Sequence, residues 1–147
     1  MTALSGRRIS ASVLPVPDNF VAEKQAGTHT LVNIGQVMDA PLSGLAASEK
    51  TLKERPEQAL ALVRGALKGS AFAKRNKAEA VALLAQFTGI DADTAAQAYD
   101  LVKDTWSDTG TASDDGIRNL VDPELTASLN VQQAVDWSLV RLAQANP

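Results

Sequence analysis

Residues 39–48, Asp-Ala-Pro-Leu-Ser-Gly-Leu-Ala-Ala-Ser, mark a change of grammar that most limits what this chain can fold into. Before them lie β-branched runs at 9–14 and 30–34, separated by prolines and a short helix-like piece. After them the sequence has helical periodicity, repeated N-cap signals and no convincing strand. Such a chain has either a very small sheet or too few strands for the sheet it implies.

Composition narrows the choice. The 147 residues suffice for a domain with a core, and 45% hydrophobic content favours burial over disorder. Aromatic residues are only 4% and alanine dominates the apolar set, which suits close-packed helices and argues against an all-β architecture. A net charge of −3 with mixed signs offers no basic stripe, so nucleic acid is not an expected partner. Cysteine is absent, which removes disulfides, thiolate nucleophiles and cysteine metal sites. Apolar runs such as 80–85 fall far below the ~20 residues that span a bilayer, so membrane insertion is not expected. The arginines Arg7 and Arg8 are followed by no apolar stretch of signal-peptide length, so no export signal is expected.

Taken in order, residues 9–14 alternate apolar and small polar side chains, the period of a half-buried strand ended by Pro15. Residues 18–26 form a short helix closed by Gly27, and 30–34 supply the next strand, so 9–34 reads as a β-α-β piece. Residues 42–48 form a third strand interrupted by Gly44. Ser48 caps a helix over 49–55, and Pro56 opens a longer one with Leu60, Val63 and Leu67 on its buried stripe and Arg64, Lys68 and Lys74 facing water. Asn76 and Glu79 have capping-box spacing before a helix that Gly89 closes. Residues 91–106 repeat Ala95, Ala98, Tyr99, Val102 and Trp106 at helical spacing, 105–113 form a loop, a short helix follows at 114–121, and Asn130 caps a last helix carrying Val131, Val135, Leu139 and Leu142.

No motif carries catalysis. His29 stands without a metal or triad partner, Ser43-Gly44 lacks a nucleophile elbow, and Gly65 and Gly69 lie inside a helix with no preceding strand. The oxygens of Asp108, Asp114 and Asp115 miss the spacing of a calcium loop. Neither a cofactor nor a metal is expected, and the chain does not read as an enzyme.

The runs at 3–17, 22–27, 31–35 and 41–45, continued by 52–72, 76–89 and Val135-Asp136-Trp137, resemble the C-terminal part of an ABC-transporter periplasmic substrate-binding protein. The branch is the nitrate, sulfonate, taurine and pyrimidine-precursor type with an NMT1/THI5-like domain. The resemblance implies a helix-rich α/β fold with few strands, the end of a two-lobed type II periplasmic-binding-protein architecture. Residues 1–36 would end the second lobe, 37–48 would be the returning hinge strand, and 49–147 would cover the first lobe. It also implies a small organic or oxyanion solute such as nitrate, a sulfonate or a pyrimidine precursor, an ABC permease as partner, and a periplasmic setting. The proline turn beyond a strand end points to Pro15, Val16, Pro17 and Asn19 as ligand-binding positions, and the hinge adds Ser43 and Gly44. The alternative is a helical interaction protein whose exposed strand, 42–48, completes a sheet between chains as a homo-oligomer.

Overall fold

The structure is a computed structural model that describes residues 2–126 and 128–146. Every regular element among them is helical, which corrects the expectation of a helix-rich α/β fold of the periplasmic-binding-protein type. Residues 9–14, 30–33 and 42–48 contain no strand, and 34–36 turn as a 3-10 helix. The reason is the non-local nature of a β ladder: a strand's N–H and C=O groups need a second strand beside them, whereas a helix closes its bonds four residues away. The sequence patterns of 9–14 and 42–48 have the right period, but no described segment pairs with them.

The helices are α1 (Thr2–Ser5), α2 (Asp18–Ala26), α3 (Glu49–Glu54), α4 (Pro56–Arg75), α5 (Lys77–Thr88), α6 (Ala92–Val102), α7 (Asp114–Arg118), α8 (Pro123–Thr126), α9 (Val131–Ala134) and α10 (Ser138–Ala145). They form two units. The first runs up to Asn33 and includes Phe72–Thr105; the second combines Ile34–Ala71 with the chain from Trp106 onward. Helix α4 contributes its last turn to the first unit and the rest to the second.

In the first unit α6 is the hub, packed by α5 and by α2. Its buried side chains are Thr94, Ala95, Ala98 and Tyr99, and α2 adds Ala22. Small side chains at this spacing let helices approach closely, but each buried methyl contributes only about 0.8 kcal/mol, against about 1.5–3 for a full leucine or phenylalanine. Polar ties therefore matter. Asp91 caps α6 by accepting from Thr94 N–H at 3.0 Å and holds the Lys24 ammonium of α2 at 2.9 Å. Tyr99, 3% exposed, donates its hydroxyl to the Ala73 carbonyl at 2.8 Å. That carbonyl is among the last four of α4, which have no partner within the helix. Asn76 serves the same end by donating Nδ2 to Phe72 O at 2.8 Å, and so does not form the expected side-chain cap on α5. Gly27 and Gly89 close α2 and α5 with positive φ, as the sequence predicts.

In the second unit, α4 buries Ala59 and Leu60, while Gly116 and Ile117 of α7, Val131 of α9 and Ala143 of α10 supply the remaining buried positions. Ser48 and Ser113 cap α3 and α7 through side-chain oxygens. The Ser113 hydroxyl also donates to Asp39 Oδ2 at 2.7 Å, and Asn119 donates to the Asp39 carbonyl at 2.7 Å, tying the incoming segment to α7. The expected continuous helix after Asn130 is broken. Val135 is extended, and the Asp136 carboxylate takes the Ser138 N–H at 2.8 Å, the local side-chain bond by which aspartate competes with a helix.

Tyr99→Phe is expected to cost about 1 kcal/mol in urea unfolding, because it removes the bond to Ala73 O and leaves the packing in place. The Lys24 ammonium and the Thr94 N–H together hold the Asp91 carboxyl far below its ordinary value of 3.8. Its contribution is then complete above that value and is lost as pH falls through the lowered folded value. Asp91→Asn keeps a capping oxygen and loses the ion pair, so it should melt below the native chain at neutral pH, with the gap narrowing in strong acid; Asp91→Ala should melt lower still.

Candidate functional site

Arg64 and Lys68 stand one turn apart on α4, with Leu67 between them. Neither has an acidic residue three or four positions away: Arg64 meets Leu60, Ala61, Leu67 and Lys68 at those spacings, and Lys68 meets Arg64, Gly65, Ala71 and Phe72. Neither makes an ion pair with a described carboxylate. The sequence reading gives both to solvent, yet Arg64 is half-buried and its Nε is fully covered without a hydrogen-bond partner. A covered guanidinium nitrogen that donates to nothing costs free energy, and the rest of the planar guanidinium carries donors suited to an anion.

These side chains line an open cleft of about 280 Å³ whose other walls are Ala143 and Gln144 of α10. The loop after Trp106 fixes the relation between α4 and α10. Gln144 Nε2 donates to Thr109 O at 2.9 Å, and Ser107, Thr109 and Thr111 link their hydroxyls beside it. Gly110, at φ 71°, lies so close to α4 that a Cβ there would come within 2.5 Å of Leu67 Cδ2 and 3.4 Å of Val140 Cγ1. Two cations, one amide and an apolar floor can bind a small anion. They contain no nucleophile beside a base, and no reaction follows from them.

The positions expected from the sequence fall elsewhere. Pro15, Val16, Pro17 and Asn19 belong to the first unit, Ser43 and Gly44 to the second, so no single unit gathers them. The Val16-Pro17 bond is cis, and the Pro15 and Pro17 carbonyls accept from Asn19 N–H and Phe20 N–H as α2 begins. Asn19 Oδ1 is covered and accepts no hydrogen bond, which gives this turn one unanswered acceptor. Ser43 and Gly44 are exposed, and a Cβ on Gly44 would meet nothing within 4 Å. No strand end lies behind either group.

His29 is exposed, and no cluster of three or more metal-ligating side chains exists among the described residues. Ser113 is used as a cap, and Asp114 and Asp115 occupy the first turn of α7. No described helix is long and apolar enough to cross a membrane. Compared with protein-family models, curated proteins and solved structures, the chain matches none.

Gly110→Ala should destabilise the second unit by about 1–2 kcal/mol, since an L side chain at positive φ is strained and its methyl must displace Leu67. Urea unfolding measures it; an unchanged midpoint would mean that the loop does not hold α4 and α10 in this register.

Proposed function

We propose that the chain is a recognition component for a small anionic solute, a binding rather than a catalytic protein. The observation that carries this reading is a cleft lined by two cationic side chains one helical turn apart, Arg64 and Lys68, of which Arg64 has a covered Nε without a hydrogen-bond partner. A planar guanidinium edge suits carboxylate, nitrate or sulfonate oxygens, and Leu67 and Ala143 give the rest of a small solute an apolar surface. The resemblance of 3–17, 22–27, 31–35 and 41–45 to the nitrate, sulfonate and taurine branch supports the same ligand chemistry. With it come an ABC permease as the receiving partner and a periplasmic setting. The cleft differs from the positions that resemblance suggested, because it is built by α4 and α10 rather than by strand-end turns.

Titration of nitrate and ethanesulfonate into the isotope-labelled chain, followed by amide NMR, tests the reading. Shifts should saturate at Leu67, Lys68, Ala143 and Gln144. Arg64→Met should raise the dissociation constant at least tenfold while leaving stability equal or higher, because it removes an unanswered buried donor. Absence of saturable shifts, or shifts that survive in Arg64→Met, would overturn it.

A further inference from the structure

Residues 38–48 contain no helix, turn or bend, the longest such run among the described residues. Within it the N–H and C=O groups of 40–47 bond to no described residue, and Leu42 is 91% exposed. Both ends of the run are fastened. Asp39 accepts from the Ser113 hydroxyl and from Asn119, each at 2.7 Å, and the Ser48 side chain accepts from Thr51 N–H at 3.1 Å as the cap of α3. All of these residues belong to the second unit.

An unbent run with free backbone edges has the form that an endopeptidase cleft accepts, since such a cleft adds its substrate as a strand and reads alternate side chains in pockets. Successive residues of a strand turn their N–H and C=O groups to opposite edges. Ala40, Leu42 and Gly44 therefore share one edge, and the N–H that Pro41 lacks falls on the other. Pro41 also holds Ala40 to extended backbone. Leu42 offers an apolar side chain to a primary pocket, and around Gly44 a Cβ would meet nothing within 4 Å, which leaves room for a second backbone.

Other exposed apolar residues lack one of these features. Phe87 is 90% exposed but lies in α5, where the backbone is closed into helix. Leu31 is 76% exposed but sits at a bend, and the Thr30 N–H before it is held by the Glu23 carboxylate at 3.0 Å. Leu45 is 56% exposed and stands three residues from the Ser48 cap.

We propose that the Leu42–Ser43 bond is a processing site for an endopeptidase with an apolar primary pocket, and that the cut chain stays assembled. Hydrolysis breaks the bond between the Leu42 carbonyl carbon and the Ser43 nitrogen. Water gives its hydroxyl to that carbon and a proton to the nitrogen, leaving a carboxylate on Leu42 and an ammonium on Ser43. Asp39 still ties the 34–42 piece to α7, and Lys24 still ties α2 to Asp91 at the cap of α6.

Brief digestion of the native chain with chymotrypsin, which cuts after aromatic residues and leucine, tests this, with the first products identified by intact mass. Side-chain preference favours Phe87, whereas backbone form favours Leu42, so the first products should be 1–42 and 43–147. They should elute together in size-exclusion chromatography and separate only in denaturant. Leu42→Asp should slow this cut at least tenfold, and Ser43→Pro should abolish it by placing a ring on the nitrogen of the bond. The Ser43 N–H is unbonded in the fold, so both variants should keep the native far-UV circular dichroism. A native chain that resists cleavage, first products that end at any other residue, pieces that separate without denaturant, or a Ser43→Pro chain cut after Leu42 at the native rate would each overturn the proposal.

Discussion

The rest of the structure depends on one constraint: every backbone hydrogen bond that forms within a helix is closed within a few residues. With no strand pairing among the described residues, order is confined to helices, and each helix must resolve the unpaired groups at its own ends. Ser48, Asp91, Ser113 and Asn130 do so at N-termini through side-chain oxygens, Gly27 and Gly89 at C-termini through positive φ. Tyr99 does it across elements, carrying a hydroxyl from α6 to the end of α4.

Packing follows from the same economy of means. Among the described residues, the buried positions of the first unit are alanines, Thr94 and Tyr99, and in the second only Leu60, Ile117 and Val131 are larger than alanine. With so little area per residue, specific polar ties hold elements in register: Lys24 to Asp91, Asp39 to Ser113, Gln144 to Thr109. Many large apolar side chains stay outside, among them Phe87 at 90% and Leu83 at 56% on α5, a helix apolar around most of its circumference.

Local signals were legible in the sequence and non-local ones were not. Proline at the start of α4, the glycines after α2 and α5, and the Ser48 cap of α3 all depend on near neighbours, and each stands where its residue type requires. The strand expectations at 9–14, 30–34 and 42–48 failed because alternation specifies a face and not a partner. Asn76 failed as an N-cap because the carbonyls of the preceding helix, one residue away, compete for its side chain. Of the candidate site, the turn at Pro15–Asn19 was visible as punctuation, whereas Arg64 looked like a solvated cation. Its one signal was the lack of an acidic neighbour at helical spacing, and the opposite wall of its cleft, on α10, lies some eighty residues later in the chain.

Helices that close their own backbone bonds are the origin of this architecture, and the N–H groups of 11–14 and 42–47 bond to no described residue. Amide hydrogen exchange on the dilute, monomeric chain tests that origin most directly. The account predicts slow exchange through α4, α5 and α6 and near-random-coil exchange at 11–14 and 42–47. Alternating protected amides in those two runs at the same dilution would reveal a sheet within the single chain and contradict it.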